Sequence, residues 1–127
     1  MKKLLVLLFS MLISFNSHGE WTWVNDNIDN NSYYSDNKTI KKIDGYVFVW
    51  SLEDFNVPFD IVYSAKIYKK IDCLRERTDD ITVIYYDQPM GEGEIYLSDD
   101  SPEIEWYYPI PDSSFYSLMD YVCKYIE

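Results

Sequence analysis

The chain carries two cysteines, Cys73 and Cys123, and they stand in segments of opposite character. Cys73 closes a run from Ser64 that alternates as a strand does: Ala65, Ile67, Ile71 and Cys73 share one face, while Lys66, Tyr68, Lys70 and Asp72 share the other. Lys69 interrupts the apolar face, which places it near an edge or with its ammonium reaching outward. Cys123 belongs to a C-terminal run in which Phe115, Leu118, Met119, Val122, Cys123 and Ile126 recur at helical spacing. Such a stripe must be buried, and a sheet is the available partner. Two cysteines outside the cytosol allow one pairing. A Cys73–Cys123 disulfide would therefore tie the last helix to the sheet, contributing roughly 3–4 kcal/mol for a loop of this length. The alternative is a pair of unbonded thiols.

The N-terminus supports an oxidising destination. Lys2 and Lys3 precede an apolar stretch, Leu4 to Ile13, and Ser17 and Gly19 are small residues suited to signal-peptidase cleavage before Glu20. The reading is a signal peptide over residues 1–19 and one domain over residues 20–127. The apolar stretch is shorter than the roughly 20 residues of a permanent span. No cysteine near the cleavage point offers a lipid anchor. The location expected is periplasm, outer surface or medium.

Charge narrows the partners. The chain holds 11 basic and 22 acidic residues, net −11; loss of Lys2 and Lys3 with the signal makes this −13. That field repels phosphate backbones and anionic lipid, so nucleic acid is excluded as a partner class and a protein partner expected. The 13 tyrosines and four tryptophans favour a folded, β-rich domain.

Along the chain, Trp21 to Val24 reads as a short strand, and Tyr33-Tyr34 begins a second. Asp36 to Lys42 reads as a turn or one helical turn capped by Asp36. Asp44-Gly45 marks a tight turn into the strand Tyr46 to Leu52. Phe55 to Phe59, with Pro58, reads as a connection. Further strands are expected over Ile81–Tyr86 and Glu94–Leu97. Pro89 to Gly93 is a loop, and Trp106 to Pro111 cannot be helix. Trp106 is expected in the core with one of Tyr107 and Tyr108 outside. Asp112 or Ser113 caps a helix running to about Tyr125.

Taken in order, Trp23, Tyr33-Tyr34-x-Asp36-x-x-Thr39-Ile40, Trp50, Ser64, Asp72-Cys73 with Arg75-x-Arg77, Met90-Gly91-x-Gly93, Trp106, Pro111, Ser113 or Ser114, and Val122-Cys123 resemble the surface-adhesin protein E family. The resemblance spans nearly all of residues 20–127. It implies an α+β fold: an antiparallel sheet of about six strands, with the C-terminal helix held on one face by the disulfide. It also implies a cell-envelope binding protein, since the family's namesake binds host extracellular-matrix and serum glycoproteins, and it implies a homodimer. The absent lipid-anchor cysteine departs from a surface-anchored arrangement.

Chemistry is sparse. His18 is the one histidine and leaves with the signal, so general-base, metal-ligand and nucleophilic-triad roles lose their imidazole. No cofactor or enzymatic activity is expected. Asp99, Asp100, Glu103 and Glu105 lack the spacing and central glycine of a calcium loop. Arg75 and Arg77, with Tyr107 and Tyr108, form the candidate contact surface, although cross-strand charge pairing also accounts for the arginines. The function expected is a secreted, non-catalytic binding protein of adhesin type. The alternatives are an acidic periplasmic inhibitor of a cationic enzyme, of the lysozyme-inhibitor kind, and an envelope structural subunit.

Overall fold

A computed structural model describes residues 20–100 and 105–127. The signal-peptide segment and Glu103 lie outside the described residues. Six antiparallel strands form one sheet in which spatial order follows chain order. They are β1 (Thr22–Asp26), β2 (Ser32–Ile43), β3 (Tyr46–Phe59), β4 (Val62–Asp72), β5 (Arg77–Tyr86) and β6 (Ile95–Asp99), followed by helix α1 (Ser114–Tyr125). The expected α+β architecture is the one observed.

Local chemistry accounts for most boundaries. The β2–β3 hairpin closes at Asp44-Gly45, whose φ angles of 53° and 85° are those of the tight turn that matches strand twist. Ser113 caps α1 by accepting the Tyr116 amide at 3.2 Å, and Lys124 sits at the opposite end, as the helix dipole favours.

Two segments depart from expectation. Residues 36–42 continue β2 instead of turning, with an irregular register between Asp36 and Lys41. The Asp36 carboxylate does accept the Lys38 amide (3.2 Å). The Thr39 hydroxyl donates to the Asp36 carbonyl at 2.7 Å and accepts the Trp50 amide at 2.9 Å. A side chain thus fills the place of a missing ladder bond, and the bulge stays stitched to β3. Phe55 to Phe59 is likewise strand: β3 runs through Pro58, and its pairing with β4 lapses between Asp54 and Phe59, where a residue without an N–H is tolerated. The Asn56 amide is instead taken by Asn31 at 2.9 Å.

One sheet face receives the helix. Val47, Val49 and Ile71 pack against Met119 and Val122, with Ile40, Cys73 and Cys123 at the margin. Each such side chain is worth roughly 1.5–3 kcal/mol of burial. The Cys73–Cys123 disulfide closes this seam, with 5.8 Å between Cα atoms. The opposite face bears an aromatic layer: Tyr68 lies against Phe48 and Trp50 (ring centroids 5.9 and 5.0 Å apart). Trp106 joins this face rather than the helix-side core; it is half-buried, with the Arg77 guanidinium 4.2 Å above its ring. A 3-10 turn, Pro89–Gly91, rests on the same face. Its Gly91 has a φ of 68°, and a Cβ there would meet the Lys66 side chain at 2.6 Å.

Candidate functional site

Three places gather polar or exposed apolar side chains. The first is buried. Antiparallel register sets Lys69 of β4 opposite Asp80 of β5 on the helix side of the sheet. Lys69 is 3% exposed, so it neither borders an edge nor reaches outward, contrary to the sequence expectation. Its ammonium donates to the Asp80 carboxylate at 2.8 Å and to the Tyr107 hydroxyl at 2.9 Å, and that hydroxyl donates to Asp80 at 3.2 Å. The partners come from distant parts of the chain, which is why strand alternation alone misplaced the lysine. Burial pushes the Lys69 ammonium down, but Tyr107 and Asp80 outweigh it and hold the group above its ordinary value. Next to it, the Tyr33 hydroxyl donates to Glu53 at 2.8 Å. Burial raises the Glu53 carboxyl, against the opposing pull of Tyr33 and Lys69. The Tyr33 ring meets Phe115 edge-on, joining this cluster to the first turn of α1.

The second place holds the arginines of the candidate contact surface. Both converge on Asp72: Arg77 Nε lies 3.0 Å and Arg75 Nη1 3.2 Å from Asp72 Oδ2. Arg75 is largely exposed and Arg77 mostly covered. Tyr108 points to solvent, whereas Tyr107 turns inward to Lys69, anchored by paired backbone bonds with Thr78 at 2.9 Å each. The four residues therefore do not share one face. Although burial works against it, hydrogen bonds from Arg77 and Arg75 hold the Asp72 carboxyl below its usual range. A folded pKa below the unfolded one means stability that is present above the ordinary carboxylate value and lost as pH falls through the folded value. Asp72→Asn should therefore cost about 2 kcal/mol at pH 7. Urea titrations should show the gap closing below about pH 4; a gap that persists at pH 2 would contradict this assignment.

The third place was not anticipated from the sequence. The outer part of the β3–β4 hairpin and strand β6 flank an open groove of about 580 Å³, lined by Phe55, Val57, Phe59, Tyr85, Tyr96 and Leu97 among others. Its apolar walls are exposed: Val57 by 73%, Phe59 by 78%, Tyr96 by 52% and Leu97 by 53%. The period-two spacing of Phe55, Val57 and Phe59 was the available signal, and Pro58 masked it. Among the described residues, no group of three or more His, Cys, Asp or Glu side chains is placed to hold a metal ion. Nor is any helix among them long and apolar enough to cross a membrane.

A family model described as surface-adhesin protein E matches residues 21–124. Solved structures of Haemophilus influenzae protein E share the fold. One, crystal form II, superposes with a TM-score of 0.62 at 18% identity, covering 83% of this chain and 90% of that one. Another gives 0.60 at 17% identity, covering 82% and 83%. A third, of protein E from a non-typeable strain, gives 0.55 at 17% identity over 80% and 75%. No curated protein sequence matches significantly.

Proposed function

This chain belongs to the surface-adhesin protein E family, and from that membership we propose that it is an exported, non-catalytic binding module that engages extracellular-matrix or serum glycoproteins of a host. The family match across residues 21–124 carries the reading. Two further features support it. The N-terminal Lys-Lys, apolar stretch and Ser-x-Gly pattern suit export by a signal peptide. Large apolar side chains also stand exposed in one groove of the molecule, as contact surfaces require. Arg75, Arg77 and Tyr108, toward the other end of β5 from that groove, remain candidate contacts in their own right, and a homodimer is the assembly that family kinship suggests.

The test is protease shaving of intact cells together with capture on immobilised matrix and serum glycoproteins. The expected result is loss of the protein on shaving and saturable capture of the purified domain. Full protection in intact cells, with no capture on any surface, would remove the adhesin reading. The net charge of −13 after signal removal favours a second reading, inhibition of a cationic hydrolase. That reading requires inhibition that weakens steeply as salt is raised.

A further inference from the structure

The side of the sheet that carries α1 is only half covered. Val47 and Val49 of β3 and Ile71 of β4 meet the helix, which lies chiefly over β1, β2 and β3. Strand alternation carries the same side along β4 to Ala65. Register then sets Tyr85 of β5 opposite Ala65, and Leu97 of β6 opposite Tyr85. Along β3, the period-two series that begins at Val47 and Val49 reaches Phe55, Val57 and Phe59. Tyr96, at the bulge in β6, lines the groove together with Leu97. The groove is thus the uncovered continuation of the surface on which α1 packs.

Its floor does not suit an added strand, and its width suits a helix. Tyr85 is paired with Ala65 on one side and with Leu97 on the other, so the strand that runs under the groove has no backbone groups to offer a guest. An occupant buried there must satisfy its own amides, as a helix does. From β3 to β6 is three strand spacings, about 14 Å. A helix with its side chains is about 10–12 Å across.

Charge selects which helix. Asp60 is the one charged residue among the described residues that line the groove. No Lys or Arg occurs between Lys42 and Lys66 or between Arg77 and Lys124, the stretches that supply its walls. Asp29 stands beside the hairpin, its carbonyl accepting the Asn56 side-chain amide at 3.3 Å, and Glu94 precedes β6. The helix of a second copy does not answer this. Its apolar stripe is spent on its own sheet, and its Lys124 is already tied to Asp120 at 2.8 Å.

Building on the proposed binding function, we propose that this groove binds an amphipathic helix of a partner protein, apolar along one face and flanked by Lys or Arg. Apolar side chains at i, i+3, i+4 and i+7 enter between the Phe59 and Leu97 walls. The flanking cations face Asp60 and the acidic surroundings, which set the partner's charge and speed its approach.

The probe is a 14-residue Leu/Lys peptide with its leucines at that spacing. It is compared with a Leu/Glu peptide of the same spacing and with a shuffled Leu/Lys peptide that has no apolar face. Affinity is read by calorimetry, helix content by circular dichroism, and the site by NMR shifts of the Val57, Val62 and Leu97 methyl groups. The Leu/Lys peptide should gain helix on binding, shift those methyls and bind at least about tenfold more tightly than either control. Its margin over Leu/Glu should narrow as salt is added. Phe59→Ser and Leu97→Ser alter exposed side chains, so both should keep the wild-type circular dichroism. Each should weaken Leu/Lys binding about tenfold. Leu74→Ser, at a side chain 88% exposed in the turn between β4 and β5, should leave it unchanged.

Equal binding of either control peptide, no Leu/Lys binding at millimolar concentration, or unmoved groove methyls would overturn the proposal. So would a loss in Leu74→Ser equal to that in Phe59→Ser, which would mean adhesion to any exposed apolar spot. A wild-type dimer that Phe59→Ser dissolves would assign the groove to a second copy instead. None of these failures touches the binding function, which fails separately, when the wild-type domain captures no glycoprotein.

Discussion

Replacing Cys73 and Cys123 together by alanine should lower the unfolding free energy by about 4 kcal/mol, the chain-entropy value for a bridge closing a loop of this length. For a domain near 100 residues that corresponds to a fall in Tm of about 20 °C. Thermal unfolding of the double variant, and of the wild type with reductant, should agree, because the bond acts chiefly by restricting the unfolded chain. The location of the bridge adds to the effect. It joins the last turns of α1 to the residue just beyond β4, at the margin of the cluster formed by Val47, Val49, Ile71, Met119 and Val122. A helix of 12 residues has little stability of its own. Once released, it exposes the apolar surface of β3 and β4. A double variant melting within a few degrees of the wild type would show that side-chain packing alone holds the helix down.

The second large effect is expected at the buried lysine. Asp80→Asn keeps the shape of the side chain but strips Lys69 of its counter-charge. The lysine side chain is 4% exposed, so water cannot take over the role. The loss should be about 3 kcal/mol at pH 7, the usual result of leaving one member of a buried pair uncompensated. The pH dependence separates this from a packing defect. In the wild type the Lys69 pKa lies above its unfolded value, so its contribution is present below about pH 10 and is lost as pH rises through the folded value. In Asp80→Asn burial dominates, the folded pKa drops, and the deficit should shrink between pH 7 and pH 10. The pair Lys69→Met with Asp80→Asn should recover most of the loss, since no charge is then buried. A single Asp80→Asn variant that costs under 1 kcal/mol, flat across that range, would mean the ammonium is solvated in some other way.

Where neighbours in sequence decide the conformation, the structure could be read from the residues. Asp44-Gly45 specified a tight hairpin, Ser113 a helix start, and the stripe from Phe115 to Ile126 the face of α1 that meets the sheet. Both cysteines were placed by the same local periodicities. The failures share a cause: partners far along the chain overrode a local signal. Asp36 to Thr39 has the composition of a turn and makes turn-like bonds, yet the Trp50 amide draws it into the ladder. Pro58 suggests a break, but β3 absorbs it where pairing with β4 already lapses. Lys69 looked misplaced because Asp80 and Tyr107, which satisfy it, are set by register and by a returning segment. The contact residues were harder still. Nothing in the short span from Arg75 to Tyr108 reveals that Tyr107 turns inward while the arginines fasten onto Asp72.

Helix α1 lies chiefly over β1, β2 and β3 and leaves the β5–β6 side without a lid of that kind. The molecule is consequently lopsided in rigidity. Amide protons under the helix should be released only by global unfolding, while those of β6 exchange through brief local opening. One flank thus serves as a stiff handle, and opening on the other leaves undisturbed the half that keeps the protein folded.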